Sequence, residues 1–200
     1  AVDYVMLGSE KHNLISLKEK EIIAYHEAGH ALISYLLENT PNPIKVSIVP
    51  REKGMLGFSQ SEFSQELLIS KKNIEDQLCV LMAGRICEEV FTGDITNGAS
   101  NDIEKATELL DKYLKLFCMG EQNKFYKIQE KDNSFVNNYG NKTKDDNDNN
   151  SIKILNSLYK QTKDIIINNK DKIEMLKESL ISKDTIYQDE INEIMVSDKH

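Results

Sequence analysis

Two histidines and a glutamate near the start of the chain have the spacing of a metal-dependent hydrolytic site. His26, Glu27 and His30 form the pattern H-E-x-x-H. If this stretch is helical, residues four apart leave the same face, so both imidazoles can bind one zinc ion. The glutamate leaves the helix at another angle, from which it can reach a water molecule on the metal. The spacing predicts a zinc peptidase centre with Glu27 as general base.

The residues around this motif predict a long helix independently of the motif. Ser16 and Glu19 form an S-x-x-E capping box, and apolar residues then recur at helical spacing as far as Leu36. Pro41 stops the pattern, because proline cannot continue a helix. Gly29 has no side chain and would let another backbone segment approach the metal face. The alternative is a structural helix whose two histidines share this spacing by coincidence.

Composition and charge argue against several classes of protein. The net charge of −8 over 200 residues argues against nucleic acid and against an anionic membrane surface as partners. No apolar run reaches the length of a membrane span. Cys79, Cys87 and Cys118 include no C-x-x-C pair, so we expect three buried thiols in a reducing compartment.

The apolar pattern predicts a mainly α fold with a small β-hairpin or sheet beside the H-E-x-x-H helix. Residues 44–50 alternate apolar and polar side chains and are rich in β-branched residues, which is typical of a strand. A turn and a second short strand over 55–60 complete the hairpin. Gly57 lies in this second strand, where a glycine allows another backbone to come close.

Further helices are expected in the rest of the chain. Residues 65–89 predict a helix in two pieces, the main one starting at Ser70, with Ala83 and Gly84 marking tight packing on a neighbour. A polar loop then leads to a helix over 103–117. The remaining expected features are Asn101 as N-cap with Glu104 as its partner, helices over 152–166 and 173–180, and a short last helix from Tyr187 to Met195.

These patterns divide the chain into four segments. Residues 1–15 are an expected lead-in from an upstream module, and 16–125 form the expected peptidase core. Residues 126–150 are dominated by Asn, Lys and Asp, which is typical of a low-complexity, disordered loop. Residues 151–200 are expected to be a C-terminal helical part of the same domain.

The third zinc ligand is open on pattern alone. Catalytic zinc sites usually have three protein ligands and one position for water. The extended pattern H-E-x-x-H-x-x-G-x-x-H fails, because Ile33 and Leu36 stand where Gly and the last His should be. A carboxylate is therefore expected, and the candidates are Glu88, Glu89, Asp94 and Asp102. A loop delivers Asp102 to a helix start, although an acidic residue there also complements the helix dipole.

Several segments together resemble the peptidase domain of FtsH-type AAA+ zinc metalloproteases. They are H-E-A-G-H at 26–30, K-V-S-I-V-P-R at 45–51, L-G at 56–57, A-G-R at 83–85 with Glu88 and Glu89, and G-A-S-N-D at 98–102 with Ala106 and Thr107. Their order and spacing match over most of 16–120. The resemblance implies that Asp102 is the third zinc ligand, with Glu88 as the alternative. It also implies that Leu56, Gly57 and Phe58 lie on an edge strand that holds substrate backbone by β-augmentation.

The resemblance further implies a zinc-dependent endopeptidase domain of a membrane-anchored, ATP-dependent protease. Unfolded or membrane proteins would be its substrates, one Zn²⁺ per chain its cofactor, and a homo- or hetero-hexamer its assembly. No G-x-x-x-x-G-K-[ST] loop is present, so ATP is expected to act through an upstream module. The chain starts without methionine, so we expect a soluble piece of a longer protein.

The full-length protein would be anchored in a mitochondrial or plastid-type organelle membrane, including that of an apicoplast, or in a bacterial inner membrane. The alternative function is a proteolytically inactive zinc-binding assembly or scaffold module of the same family. The intact Glu27 argues against it, since a silent relative is expected to lose this residue. A helical interaction domain without metal is a second rival.

Overall fold

The structure, a computed structural model, describes residues 16–50, 57–61, 68–120 and 141–197. These ranges form six α-helices and one three-stranded sheet, which confirms the predicted mainly α class with a small sheet. In chain order the elements are α1 (Leu17–Leu36), β1 (Pro43–Ser47), β2 (Phe58–Ser61), α2 (Lys71–Thr92), α3 (Ser100–Asp111), α4 (Asn141–Asn168), α5 (Lys170–Lys183), β3 (Thr185–Tyr187) and α6 (Gln188–Val196). A 3-10 turn (Asn97–Ala99) precedes α3, and a π-helical turn (Lys112–Leu116) follows it.

Helix α1 runs through the middle of the molecule. The predicted capping box is present, because the Glu19 backbone N–H donates to Ser16 Oγ and the Ser16 backbone N–H donates to the Glu19 carboxylate. Every residue from Ile23 to Ser34 is buried. Helix α2 packs on one side of α1, α5 packs on another, and β1 and β2 also contact it. The H-E-x-x-H residues are therefore enclosed by the core.

Helices α1 and α2 approach closely because both carry glycine at the crossing. A Cβ atom on Gly29 would lie 2.7 Å from the carbonyl oxygen of Ala83 and 2.7 Å from Cys87 Sγ. A Cβ atom on Gly84 would lie 2.5 Å from the ring of His26. Both glycines therefore serve the tight packing expected from the sequence, and they set the depth at which α2 lies against the histidines.

The sheet has the strand order β2-β1-β3 with both pairs antiparallel. The predicted hairpin of β1 and β2 is confirmed, with Val46 opposite Ser59. Strand β1 ends at Ser47, three residues earlier than expected. The third strand was not predicted, and Tyr187 belongs to β3 rather than to the last helix. A strand of three residues is too short to show periodicity, and its partner Val46 is distant in sequence.

The predicted start of the main helix at Ser70 is confirmed, because Ser70 is the N-cap of α2, which begins at Lys71; residues 68–70 are not helical. The predicted start of α3 needs correction. Helix α3 begins at Ser100, so Asn101 is inside the helix and is not its N-cap. The 3-10 turn replaces a side-chain cap here, because the Ser100 backbone N–H donates to the Asn97 carbonyl oxygen. The expected first helical piece over 65–67 lies outside the described residues.

The polar segment over 126–150 is partly helical, contrary to the expected disordered loop. Helix α4 already begins at Asn141, so 141–150 are helical. Extending an existing helix costs far less than nucleating one, and the amphipathic stretch beyond Ser151 supplies the packed part. Residues 126–140, like the lead-in over 1–15, lie outside the described ranges.

Two further observations concern cysteines and membrane spans. All three thiols are free, and Cys79 and Cys87 are buried as expected. Cys118 is partly exposed, which corrects the expectation for this residue, and it has a positive φ of 54° just after the π-helical turn. Within the described ranges, no helix combines the length and the apolar composition needed to cross a bilayer.

Candidate metal centre

Three side-chain atoms converge at the junction of α1 and α3. Nε2 of His26 lies 3.0 Å from Nε2 of His30. Oδ2 of Asp102 lies 3.2 Å from the first of these nitrogens and 3.3 Å from the second. Among the described residues, these three side chains form the one group of His, Cys, Asp or Glu atoms close enough to hold a metal ion.

The hydrogen-bond partner of Nδ1 decides which nitrogen of each histidine ring carries the proton. Nδ1 of His26 lies 2.7 Å from the Glu88 carboxylate, and Nδ1 of His30 lies 2.8 Å from the Val80 carbonyl oxygen. Both partners only accept hydrogen bonds, so each neutral imidazole has its N–H at Nδ1 and its lone pair at Nε2. Two imidazole lone pairs and one carboxylate oxygen of Asp102 therefore face a common point. This arrangement is typical of a metal site.

The three separations fit a tetrahedral zinc site. Zinc binds nitrogen and carboxylate oxygen at about 2.0–2.2 Å, so two ligands in a tetrahedron are about 3.3–3.5 Å apart. The separations of 3.0, 3.2 and 3.3 Å among the three atoms lie at or slightly below this distance. Two histidines and one carboxylate also leave one of four positions for another ligand, as in catalytic zinc sites.

The carboxylates control the charge of the centre. Burial alone would lower the pKa of His26, yet its hydrogen bonds with Asp102 and Glu88 outweigh burial and raise the pKa to about 10. Burial raises the pKa of Asp102, but the same histidine and His30 hold it well below its usual range. A proton shared in this way occupies the position of a metal ion, so metal binding must displace it.

Glu27 lies beside these three residues but does not join them. Its side chain is 5% exposed, and burial raises the pKa of its carboxyl group. Its Oε2 is buried and has no hydrogen-bond partner among the described residues. A Cβ atom on Gly57 would lie 2.7 Å from Glu27 Oε1 and 2.9 Å from the Ser47 carbonyl oxygen. The glycine therefore lets the strand pass next to the carboxylate.

Asp102 reaches the histidines because the loop before it is fixed to α2. The Thr96 backbone N–H donates to Glu88 Oε2 over 2.7 Å, while Glu88 Oε1 accepts from His26. The buried Glu88 carboxylate thus joins this loop to α1, which carries both histidines. Burial raises the pKa of Glu88, and these hydrogen bonds outweigh it and lower the pKa below its usual range. The charged form of Glu88 is the one that serves both partners.

The sequence candidates for the third ligand separate clearly in space. Asp102 lies with the two histidines, whereas Glu88 contacts the opposite edge of the His26 ring. Glu89 points toward α4, where its carboxylate accepts a hydrogen bond from Lys163 over 2.8 Å. Asp94 is exposed, and its side chain accepts from the Ile95 backbone N–H.

Two of the three residues expected to contact substrate line a cleft of about 820 Å³. Gly57 and Phe58 line this cleft together with the metal-site residues. Phe58 begins β2, an edge strand that pairs only with β1 in the described sheet. Leu56 lies outside the described residues.

The site includes a backbone group that was not predicted from the sequence. The carbonyl group of Val80 orients His30, and no side-chain pattern identifies such a group. Glu88 was noted as a ligand candidate, but its position behind His26 was not foreseen. Its spacing of four residues from Gly84 was an available signal, because both then lie on one face of α2.

Comparison with known proteins agrees with this geometry. A family model described as "Peptidase family M41" matches residues 13–194. The chain is 35% identical to "ATP-dependent zinc metalloprotease FtsH" of Clostridium perfringens, over 98% of the chain and 28% of that protein. It is 32% identical to "ATP-dependent zinc metalloprotease FTSH 10, mitochondrial" of Arabidopsis thaliana, over 98% of the chain and 24% of that protein.

A third relative is the protein named "ATP-dependent zinc metalloprotease FtsH" of Thermotoga maritima. The identity is 35% over 98% of the chain and 34% of that protein. The chain thus spans only about a quarter to a third of the length of these three relatives. The family match, in contrast, extends over nearly the whole chain. The chain therefore belongs to peptidase family M41 and is a peptidase domain of the FtsH type.

Proposed function

We propose that His26, His30 and Asp102 hold one catalytic Zn²⁺ ion and that Glu27 is the general base of peptide-bond hydrolysis. This proposal rests on the convergence of two imidazole lone pairs and one carboxylate oxygen at a common point. Glu88 and the Val80 carbonyl group orient the two imidazoles, and α3 positions Asp102. The family membership makes the chain a metalloprotease domain, a hydrolase with zinc as its cofactor.

The residues around the proposed zinc ion have separate roles in peptide-bond hydrolysis. A zinc ion held by His26, His30 and Asp102 would polarise a carbonyl group and acidify water. Glu27 accepts a proton from the attacking water and delivers it to the leaving amine. Its burial supports this role, because the raised pKa increases the affinity of the carboxylate for a proton. Glu88 and the Val80 carbonyl keep the two imidazoles in the orientation that leaves Nε2 free.

We infer that substrate backbone lies along β2. Strand β1 lies between β2 and β3, so β2 is an edge strand of the described sheet, and its residues Phe58 and Ser59 line the cleft. An extended peptide can pair with such an edge through main-chain hydrogen bonds, whatever its sequence. Gly57 and Phe58 stand at the point where this edge passes Glu27. Polypeptides in an unfolded or otherwise extended state are therefore the proposed substrates, including membrane proteins.

For the longer protein we propose an ATP-dependent, membrane-anchored machine. The relatives carry "ATP-dependent" in their names and are three to four times as long as the chain, which leaves room for an ATPase module and an anchor. A hexamer, homomeric or heteromeric, is the proposed assembly. The relatives include mitochondrial and bacterial proteins, so an organelle or a bacterial inner membrane is the proposed location.

The proposed site is tested by separating metal binding from cleavage. Glu27→Gln removes the base but no ligand, so we expect zinc to stay bound while cleavage of an unfolded protein falls at least about 100-fold. Asp102→Ala removes a ligand and should lose both zinc and cleavage. Zinc is measured by elemental analysis and cleavage by release of labelled fragments from casein.

Glu104→Gln is the matched control, because Glu104 is exposed on α3 and lies outside the cleft lining. It should keep both zinc and cleavage. A Glu27→Gln variant that cleaves as fast as the parent would refute the role of the base. A parent chain that binds zinc stoichiometrically and cleaves nothing would instead support the alternative, an inactive zinc-binding assembly or scaffold module.

A further inference from the structure

One lysine in the cleft, Lys105, has no role in the proposed hydrolysis. Among the described residues that line the cleft, Lys105 is the only lysine or arginine. It lies on α3 three residues after Asp102, so both point from neighbouring positions on one face of the helix. The rise along the helix between them is about 4.5 Å.

The ammonium group of Lys105 is available for a ligand. The residue is exposed, and within the described ranges no hydrogen bond or ion pair engages it. The carboxylates of the cleft do not neutralise it by direct contact, because Asp102 and Glu88 are bound to histidine and Glu27 is buried.

Lys105 lines the same cleft as Glu27 and the three proposed zinc ligands, His26, His30 and Asp102. A substrate lying there meets one exposed cation near the bond to be cut.

We propose that Lys105 is a specificity-determining residue that binds a carboxylate of the substrate close to the scissile bond. This inference rests on the proposed peptidase function and concerns substrate choice. An extended peptide rises about 3.3 Å per residue, so a group near both Lys105 and the metal site lies within one or two residues of the bond. The carboxylate is an acidic side chain or the C-terminus of the peptide.

The test compares peptides that differ by one charge. A neutral fluorogenic peptide is altered by Asp or Asn at each position within two residues of the cleaved bond, and a second pair has a free or amidated C-terminus near that bond. The measured quantity is the ratio of kcat/KM for the charged and the neutral member of each pair. The first set reports a side-chain carboxylate, and the second reports a terminal one.

The zinc-loaded chain is expected to prefer the charged member of at least one pair by about twofold to fivefold, the range of an exposed ion pair. Lys105→Gln should abolish this preference, Lys105→Arg should keep it, and Lys105→Glu should reverse it. Raising the salt concentration should weaken the preference in the parent chain and leave the Gln variant unchanged, because the Gln variant has no charge to screen.

Lys112→Gln is the matched control. Lys112 is an exposed lysine seven residues further along the same helical run, outside the cleft lining. It should keep the preference of the parent. Zinc content is measured for every variant and should not change.

Two results would overturn the assignment. The first is a charged-to-neutral ratio that Lys105→Gln leaves unchanged. The second is an equal loss for all peptides together with a shifted acidic limb of the pH profile, which would assign Lys105 to the ionisation of Glu27. Failure of the proposed function looks different, because then the parent chain cleaves none of the peptides, neutral ones included.

Discussion

Glu88 connects two parts of the proposed metal centre. It is buried on α2 and uses both carboxylate oxygens, one for His26 and one for the backbone N–H of Thr96. The first contact fixes the tautomer of a proposed ligand, and the second fixes the loop that leads to Asp102. A metal ligand and its supporting partner are usually of similar importance, because the partner orients the ring.

Glu88→Gln is predicted to weaken zinc binding about 10- to 100-fold. Glutamine has one acceptor oxygen for two N–H donors, so its own NH₂ group must face a donor. An unsatisfied buried group of this kind also costs about 1–3 kcal/mol of folding stability. Competition with a fluorescent zinc chelator measures the affinity, and thermal unfolding measures the stability.

Glu89→Gln is the control for this change, because Glu89 is the next residue on α2 and binds Lys163 and Tyr159 away from the cleft. Its zinc affinity should match that of the parent. Equal affinities for the Glu88 and Glu89 variants would show that the orientation of His26 does not depend on the carboxylate.

At the scale of elements, the crossing of α1 and α2 sets the position of the histidines. Gly29 lies between His26 and His30 in sequence, and the carbonyl group of Ala83 passes where its side chain would be. Gly84 gives the His26 ring the same room from the other helix. A helix usually gains about 1 kcal/mol when alanine replaces glycine. Here the neighbouring backbone decides the sign, because it cannot rotate away as a side chain can.

Gly29→Ala is predicted to destabilise the chain by about 1–3 kcal/mol and to weaken zinc binding. The added methyl group pushes α2 away from α1, and with it the Glu88 carboxylate and the Val80 carbonyl that orient the two rings. Thermal unfolding and chelator competition measure the two effects.

Gly93→Ala separates loss of stability from loss of the site. Gly93 ends α2 with a φ of 73° and has no neighbour within 4 Å of an added Cβ atom. Its substitution should cost about 1 kcal/mol through backbone conformation alone and leave zinc affinity unchanged. If Gly29→Ala also leaves zinc affinity unchanged, the crossing does not position the histidines.

At the scale of the molecule, the proposed zinc ligands come from parts with unequal anchoring. Helix α1 is buried over twelve consecutive residues, Ile23 to Ser34, and belongs to the main core. Helix α3 buries only Ala106 and Leu110 and packs against α2. A metal ion held by His26, His30 and Asp102 would therefore tie a weakly packed helix to the centre of the molecule.

Removal of zinc is predicted to loosen α3 before the rest of the fold. A ligand that binds only the folded state stabilises it by RT ln(1 + [L]/Kd), about 4 kcal/mol at 1,000 times Kd. We expect a lower Tm after chelation and faster hydrogen exchange in 96–111. Helix α5, which buries Ile173, Leu176 and Leu180, should keep its protection. Equal deprotection of both regions would show that zinc supports the whole fold rather than this tie.

Some elements could be predicted from the sequence and others could not, for physical reasons. The start of α1 was predictable because the capping box is a local arrangement, complete within Ser16 and Glu19. The start of α3 was not, because a 3-10 turn anchored by Glu88 replaces the side-chain cap. Strand β3 was missed because its pairing with Val46 depends on the packing of α5 and α6.

The sequence by itself indicated the proposed reacting groups. The spacing of His26, Glu27 and His30 on a helix is a local geometry, and a residue pattern is sufficient to express it. The family resemblance favoured Asp102 among the four carboxylates, but only the tertiary structure shows Asp102 beside both rings and which ring nitrogens face it. That choice depends on which groups of α2 and α3 stand within 3 Å or so of each imidazole. Contacts between segments distant in sequence leave no periodic trace, because any residue with a suitable polar atom can supply them.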